Sequence, residues 1–133
     1  MIIDSSALLA LVFREPSHPR ILGAVAGADW LGVGAPTLAE TGIVLAARLG
    51  AEARPTLAML VEELSLAVVP FEAVHAREAR EAFLRYGRGR HPASLNFGDC
   101  LTYAVARVAG QALLFVGSDF QQTDLESALS GLG

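Results

Sequence analysis

The chain has 133 residues, of which 53% are hydrophobic and 18% charged, and its mean hydropathy is +0.44. This length predicts a single domain over residues 1–133 with a substantial buried core, and no apolar run reaches the ~18 residues that a membrane-spanning helix needs. The net charge of −4 and the isoelectric point near 5.3 argue against nucleic-acid binding driven by bulk charge.

The single cysteine, Cys100, excludes an internal disulfide framework, and we expect it to be a small core residue. No basic residues precede the first apolar ones, which argues against a secretory signal, so we expect a cytoplasmic protein with no membrane contact. Part of the high hydropathy is expected to form an exposed apolar patch that a partner or a second subunit covers. All ten basic residues are arginine, and the sequence contains no lysine.

Strand-like and helix-like segments alternate along the chain. Residues 1–3 predict a short buried strand, and residues 6–13 predict a helix that Ser5 or Ser6 caps at its N-terminus. Residues 20–28 predict a second helix, 30–34 a strand, 36–49 a helix that ends at Gly50, 54–64 a helix and 66–69 a strand. A helix over 72–86, a loop over 87–94, a helix over 99–109 and a strand over 112–116 follow, and one further helix closes the order. This alternation predicts a parallel sheet with helices on both faces.

Four acidic residues lie at the turning points between these elements: Asp4, Glu40, Asp99 and Asp119. Because the carboxyl ends of strands form the ligand crevice of an open α/β sheet, we expect the four carboxylates to converge on one pocket. Two full charges about 4 Å apart repel by roughly 4 kcal/mol at an effective dielectric near 20. Such a cluster persists most easily around a divalent cation that prefers hard oxygen ligands, Mg²⁺ or Mn²⁺.

Each acid also has a purely structural interpretation. Asp4 and Asp119 could cap the helices that follow them, and Asp99 could stabilise the first turn of a helix that Asn96 caps. Taken together, the four positions favour a shared metal site over separate caps. Asp124 is either an auxiliary ligand or, as we favour, an exposed acid in the first turn of the last helix.

Glu40 is the most telling of the four acids. Ile43, Val44 and Ala47 follow it at helical spacing, which predicts that Glu40 shares an apolar, inward-facing side of its helix. A carboxylate in that position needs compensation. The alternative is a half-exposed glutamate near the helix N-terminus, where the helix dipole favours a negative charge.

Several polar residues near the acids are candidates for supporting roles. Two serines beside the acids would orient a ligand or hydrogen-bond a carboxylate, unless they act as caps or turn residues. A basic loop before Asn96 would hold phosphates near the metal; the alternative is a loop that is only solvated. The arginine that closes the first helix either holds phosphates in the same way or is only solvated. These supporting candidates are Ser6, Ser118, Asn96, Arg14, Arg88, Arg90 and His91. The three histidines share no metal-ligand spacing, so we expect no zinc site.

The acids lie in segments that resemble the PIN-domain family, specifically the VapC-type toxins of bacterial toxin–antitoxin pairs. The matching segments follow the family's order: IIDSSALLAL at 2–11, PTLAET at 36–41, LNFGDCLTYA at 95–104 and LLFVGSDFQQTD at 113–124. The third and fourth segments are the specific ones, and the stretch over 54–91 carries no motif.

This resemblance implies a three-layer α/β/α sandwich around a central parallel sheet. It also implies an endoribonuclease in which Asp4, Glu40, Asp99 and Asp119 hold Mg²⁺ or Mn²⁺, and which hydrolyses RNA phosphodiester bonds to leave 5′-phosphate and 3′-hydroxyl ends. The implied partners are an RNA substrate, a VapB-like antitoxin that blocks the site, and a second copy of the chain in a homodimer.

Two other functions compete with this one. An aspartyl phosphatase or a response-regulator receiver would need a lysine near the phosphoryl group, and the phosphatases an Asp-x-Asp pair. This chain has no lysine and reads Asp4-Ser5-Ser6, so we set that class aside. A PIN-like module that only binds RNA or an antitoxin is the remaining alternative. A missing or substituted acid would favour that module, and all four acids are present.

Overall fold

The computed structural model describes residues 1–129 of the chain. Within these residues, four short parallel strands form one sheet in the order β3-β2-β1-β4. Their bounds are β1 Ile2–Ile3, β2 Gly32–Gly34, β3 Ala67–Val69 and β4 Leu113–Leu114. The four predicted strands are therefore confirmed, and each is shorter than its apolar run.

Six α-helices accompany the sheet in the described part of the chain. Their bounds are α1 Ser5–Val12, α2 His18–Ala26, α3 Ala35–Leu49, α4 Ala53–Glu63, α5 Ala73–Tyr86 and α6 Phe97–Ala109. Pro36 lies in the first turn of α3, where its missing N–H is not needed, and Gly50 ends that helix with a φ of 57°. No helix within residues 1–129 is both long and apolar enough to cross a membrane.

The helices cover both faces of the sheet, as is usual for parallel strands. Ile2 and Leu113 pack with side chains of α5 and α6. Ile3 and Leu114 point to the opposite face and pack with side chains of α1, α2 and α4. Helix α3 leaves the end of β2 and contacts α1, α4 and α6. The expected three-layer α/β/α sandwich is confirmed.

The helix predicted after β4 is wrong over the described residues. A 3₁₀ turn over Phe120–Gln122 follows β4, and Thr123 then returns the chain to extended geometry, with a φ of −98° and a ψ of 176°. The next segment runs beside β4: the Leu113 N–H donates to the Glu126 carbonyl at 2.9 Å, and the Ala128 N–H donates to the Leu113 carbonyl at 2.8 Å. These bonds satisfy backbone groups of an edge strand, so pairing with the sheet prevails over helix formation.

Two helix starts bring polar side chains to the carboxyl ends of the strands. Helix α1 begins directly after β1 with Asp4 as its N-cap, which confirms the structural interpretation of Asp4; Ser5 and Ser6, the other predicted caps, lie inside the helix. Helix α6 begins two residues earlier than predicted, because Asn96 and Asp99 form a reciprocal capping box.

Candidate metal centre

Asp4 is held by hydrogen bonds at the junction of β1 and β4. The residue is 6% exposed, and its Oδ2 accepts hydrogen bonds from the Ser6 backbone N–H at 3.1 Å and from the Ser6 hydroxyl at 2.6 Å. The Ser6 Oγ in turn accepts a hydrogen bond from the Val116 N–H at 3.0 Å. Ser6 therefore orients the carboxylate and connects the ends of two neighbouring strands, and Asp4 serves at once as a cap and as a member of the site.

Glu40 lies between the first turns of α1 and α6. The Ser5 hydroxyl donates a hydrogen bond to Glu40 Oε1 at 2.7 Å. A Cβ atom on Gly98 would lie 2.7 Å from Glu40 Oε2, closer than real Cβ contacts come. The missing side chain at Gly98 is therefore what allows the Glu40 carboxylate to approach the start of α6.

The inward-facing environment predicted for Glu40 is wrong. Glu40 is exposed, and Ile43, one turn further along α3, is 71% exposed. The buried side of α3 is formed instead by Thr37, Thr41 and Leu45. The alternative of a half-exposed glutamate near the helix N-terminus is closer to the structure, in which Glu40 is exposed and its carboxylate contacts α1 through Ser5.

Asp99 combines a helix-capping role with a position among the other acids. Its Oδ2 accepts a hydrogen bond from the Asn96 N–H at 3.1 Å, and the Asn96 Oδ1 accepts one from the Asp99 N–H at 2.8 Å. Burial raises the pKa of Asp99 to about 6; the Asn96 hydrogen bond opposes this rise, and the negative charges of the other three acids add to it. Asp99 thus lies within electrostatic reach of all three.

Asp119 and Asp124 have different surroundings although they share one segment. Asp119 is exposed and begins the 3₁₀ turn after β4, where its side chain makes no capping bond. The Asp124 carboxylate lies against α6: its Oδ1 accepts a hydrogen bond from the Tyr103 hydroxyl at 2.6 Å, and an Arg107 nitrogen lies 3.2 Å from its Oδ2. Asp124 is therefore not the early-helix acid that we favoured, and it is not among the charges that raise the pKa of Asp99.

The four acids lie at one end of the sheet, but their carboxylates are not arranged as metal ligands. Within residues 1–129, no three His, Cys, Asp or Glu side chains are arranged to hold one metal ion. Mutual repulsion separates carboxylates that no cation neutralises, and Ser5 and Ser6 each engage one carboxylate oxygen. The donors are nevertheless the hard oxygens that Mg²⁺ and Mn²⁺ prefer, and Gly98 leaves space for one of them. By the chemistry of their donor atoms, the residues present fit a divalent cation.

Ser118 and the candidate arginines are exposed. The three arginines are Arg14, Arg88 and Arg90. In the described part of the chain, none of them forms an ion pair with the four acids. The Arg90 guanidinium lies 5.6 Å from the centroid of the Phe83 ring, so it extends along α5.

His91 has a structural role in the loop between α5 and α6. Its Nδ1 accepts a hydrogen bond from the Ala93 N–H at 3.1 Å, and its ring packs edge-on against Tyr86 with centroids 5.0 Å apart. These contacts order the loop that carries Arg88 and Arg90.

Sequence reasoning missed the contributions of Ser5 and Gly98. The sequence predicts only a helix-capping role for Ser5, although its position next to Asp4 is a signal for a place in the site. The importance of Gly98 depends on how closely α3 approaches α6, which no local pattern reveals.

Comparison with known proteins identifies the family. The family model described as PIN domain matches residues 1–126. The chain is 53% identical over 127 residues to the VapC ribonuclease Mb2004c of Mycobacterium bovis and to ribonuclease VapC36 of Mycobacterium tuberculosis, and each match covers 95% of this chain and 91% of the relative. Ribonuclease VapC of Mycolicibacterium smegmatis is 42% identical over 125 residues, which cover 94% of this chain and 97% of that protein.

A solved structure shares the fold. The crystal structure of Mycobacterium tuberculosis VapC20, a sarcin-ricin loop cleaving toxin, matches with a TM-score of 0.75 at 21% identity and covers 93% of this chain and 95% of that chain. At this identity the likeness concerns the fold alone. Family membership follows from the family model and from the relatives at 53% identity: the chain belongs to the PIN-domain family, among its VapC ribonucleases.

Proposed function

We propose that this chain is a metal-dependent endoribonuclease and the toxin of a type II toxin–antitoxin pair, built as one nuclease domain over residues 1–133 and active in the cytoplasm. Metal dependence is general among PIN-domain VapC ribonucleases. The observation that carries the proposal is the placement of Asp4, Glu40, Asp99 and Asp119 at the carboxyl end of the sheet, where Ser5, Ser6 and Asn96 hold three of the carboxylates by hydrogen bonds. Burial raises the pKa of Asp99, and the charges of the other three acids add to the rise. Acids held together without a counter-charge are what a divalent cation relieves.

The four acids are proposed to hold one or two Mg²⁺ or Mn²⁺ ions, directly or through water. When bound, the metal supplies an activated water and neutralises charge that develops on the phosphodiester. Ser6 keeps the Asp4 carboxylate oriented through its hydroxyl, 2.6 Å away. The capping box with Asn96 fixes Asp99 in the first turn of α6. These local bonds limit how far the two acids have to move when a cation is bound.

An RNA strand needs positive charge beside an acidic site. Arg88 and Arg90 are exposed in the loop between α5 and α6, and Arg14 is exposed just after α1. We assign these arginines to phosphates along the RNA strand, where such contacts position the strand without reading its bases. Arg14 lies at the far end of α1 from Asp4, and Arg90 would have to leave the Phe83 ring to reach a phosphate. Cleavage is proposed to leave 5′-phosphate and 3′-hydroxyl ends.

The groove between α1, α2 and α4 is the surface that we assign to a VapB-like antitoxin. Its volume is about 300 Å³, and its lining includes Leu11, Arg14, Leu22, Met59 and Leu64. Leu22 is 45% exposed and Met59 is 54% exposed, so the groove presents apolar area that a partner would remove from water. Helix α1 has eight residues, about 12 Å. An extension from the groove, carrying a basic side chain, would therefore reach the acids at the start of α1.

The groove between α5 and α6 is the surface that we assign to a second copy of the chain. Its volume is about 720 Å³, and its apolar lining includes Phe71, Ala79, Phe83, Leu84 and Phe97. Phe97 is 79% exposed and Leu84 is 53% exposed. Arg80 and Glu81 lie side by side on the same surface, so a two-fold axis would let each copy offer both charges to the other.

Purified protein and a labelled RNA test the proposed activity. Wild type is expected to cut RNA with Mg²⁺ or Mn²⁺ and to stop when EDTA is added. Asp4→Asn and Asp99→Asn should lower the rate by orders of magnitude, because each weakens the ligand set and keeps the side-chain shape. Asp29→Asn is the matched control, since Asp29 is an exposed acid before β2, at the opposite end of the strands.

Undiminished cleavage in EDTA, or by Asp99→Asn, would contradict the proposal. Binding of RNA or of the antitoxin without any cleavage in Mg²⁺ or Mn²⁺ would instead favour a non-catalytic PIN-like module. The same preparations distinguish the two functions.

A further inference from the structure

Within residues 1–129, Asp119 makes no fixing contact of its own, and its position depends on the residues that follow it, 120–124. Asp119 is exposed and makes no capping bond in the 3₁₀ turn that it begins. The next residue, Phe120, is 2% exposed and packs against Phe115, with ring centroids 5.3 Å apart. The Thr123 hydroxyl donates to the Phe120 carbonyl at 2.8 Å and closes the turn. These contacts fix the start of the segment, and Asp124 follows directly after them.

Asp124 joins the far end of this segment to α5 and α6. Its Oδ1 accepts a hydrogen bond from the Tyr103 hydroxyl at 2.6 Å. Its Oδ2 lies 3.2 Å from an Arg107 nitrogen and 3.6 Å from an Arg85 nitrogen. Burial alone would raise the pKa of Asp124, but the Tyr103 hydrogen bond and the two arginines outweigh it and hold the pKa below its ordinary value. The carboxylate thus stays charged with both oxygens engaged.

Tyr103 connects this contact to the acids. It follows Asp99 by four residues on α6, so both side chains lie on the same face of one helix. Tyr103 is 2% exposed, and a buried phenol hydroxyl needs a hydrogen-bond partner, which Asp124 provides. Helix α6 therefore carries Asp99 itself and, through the Tyr103–Asp124 hydrogen bond, also holds the segment that carries Asp119.

We propose that Tyr103 and Asp124 are positioning residues that set the separation of Asp99 and Asp119, and through it the affinity of the site for a divalent cation. This inference rests on the proposed function, because it takes both of those acids as metal ligands. It assigns Asp124 a role outside the ligand set. Outer contacts that orient metal ligands typically change metal affinity by roughly 10- to 100-fold when they are lost.

The test measures Mg²⁺ binding and stability separately on the full chain. Tyr103→Phe removes only the hydroxyl, and Asp124→Asn keeps an acceptor oxygen but loses the charge that the arginines hold. We expect the dissociation constant for Mg²⁺ alone, measured by titration calorimetry, to rise about tenfold in both variants. The Mg²⁺ concentration for half-maximal RNA cleavage should rise by the same factor, and saturating Mg²⁺ should restore most of the rate.

Tyr86→Phe is the matched control. Tyr86 is 8% exposed in the same core, and its ring centroid lies 5.8 Å from that of Tyr103. Its hydroxyl accepts a hydrogen bond from Arg85 rather than donating one to Asp124. Arg85 also approaches Asp124, at 3.6 Å, but the Tyr103 hydrogen bond and the closer Arg107 contact do not involve Tyr86. This variant should therefore lose some thermal stability in EDTA and keep the wild-type affinity for Mg²⁺.

The possible outcomes separate the inference from the function on which it rests. If wild type binds Mg²⁺ and both Tyr103→Phe and Asp124→Asn bind it equally well, the positioning role is overturned and the nuclease assignment stands. If wild type itself shows neither Mg²⁺ binding nor metal-dependent cleavage, the proposed function fails and the positioning role fails with it. Should Tyr103→Phe not fold, Asp124→Asn decides by the same criterion.

Discussion

Two opposing effects act on the Asp99 carboxylate: a hydrogen bond that favours its charged form, and burial among other acids that disfavours it. As the third residue of α6 it accepts the Asn96 N–H and stabilises the helix start, while burial and the neighbouring acids raise its pKa to about 6. An acid whose pKa is higher in the folded protein than its ordinary value of 3.8 binds its proton more tightly when folded. The stability that this proton contributes is therefore fully present below pH 3.8 and is lost as the pH rises through about 6.

Because the pKa of Asp99 is raised, metal-free protein should respond to Asp99→Asn in a defined direction. In EDTA the variant should gain stability relative to wild type as the pH rises from 3.8 to about 6, because a neutral amide escapes the cost of burying a charge among other charges. At neutral pH it should melt at the same or a higher temperature than wild type. Thermal melts across this pH range measure the difference.

Adding Mg²⁺ should reverse that order. Metal that binds only the folded state stabilises wild type by mass action and should stabilise Asp99→Asn much less. Asp99→Ala distinguishes a metal site from a helix cap: if Asp99 only caps α6, alanine costs about 0.5–2 kcal/mol with or without metal. A metal-independent loss in both variants would mean that the acids do not share a site.

Gly98 provides a second test at the scale of one residue. In Gly98→Ala the new Cβ would lie 2.7 Å from Glu40 Oε2, and the flexible Glu40 side chain would have to move away. Unfolding by urea should show unchanged or higher stability, because alanine is favoured over glycine within a helix by up to about 1 kcal/mol. Metal-dependent cleavage should fall about tenfold, as for the loss of a contact that orients a ligand.

The control for this substitution is Gly23→Ala. A Cβ on Gly23 meets nothing within 4 Å on α2, so this variant should gain helix stability at full activity. A Gly98→Ala protein that is as active as wild type would show that the approach of Glu40 to α6 is not needed.

At the scale of elements, the sequence predicts the fold better than it predicts the site. Parallel strands are marked by short continuous apolar runs, so all four strands could be found; β1, β2 and β4 are buried, whereas the edge strand β3 is partly exposed. The predicted inward face of α3 is wrong because it follows the apolar residues alone, whereas Thr37 and Thr41 are buried with their hydroxyls hydrogen-bonded. The pairing of residues 126–128 with β4 and the gap beside Gly98 depend on the approach of distant segments, which leaves no local signal.

The contact between α3 and α6 sets how Glu40 and Asp99 meet, and a buried hydrogen bond supports it. The hydroxyl oxygens of Thr37 and Thr102 lie 3.0 Å apart, and these residues are 5% and 2% exposed. Thr37→Val or Thr102→Val should each lower the free energy of unfolding by about 1–3 kcal/mol, because a buried hydroxyl loses its partner. The double variant should lose less than the sum in urea unfolding, and strictly additive losses would show that the pair is not coupled.

At the scale of the whole molecule, two exposed apolar grooves help to explain the mean hydropathy of +0.44. The α5–α6 groove lies in one helical layer, and the α1–α2–α4 groove lies in the layer on the other face of the sheet. Because the grooves are separate, a second copy and an antitoxin would not compete for the same surface. Substitutions in the two grooves should therefore have separable effects.

Leu84→Asp and Met59→Asp test this separation as a matched pair. The two side chains are 53% and 54% exposed, so a charge at either position should leave the isolated chain folded. A charge buried without a partner in an interface is strongly unfavourable. Leu84→Asp is therefore expected to sediment as a monomer and to bind the antitoxin as wild type does. Met59→Asp is expected to remain a dimer and to arrest growth even when the proposed antitoxin is co-expressed.

Sedimentation velocity, antitoxin pull-down and growth curves with and without the antitoxin together decide between the assignments. A Leu84→Asp protein that still dimerises would place the dimer surface outside the α5–α6 groove. A Met59→Asp protein that the antitoxin still neutralises would remove the α1–α2–α4 groove as its binding site. Wild type alone should arrest growth because its nuclease is unopposed, and harmless high-level expression of the soluble protein would count against a toxin role whichever groove each partner uses.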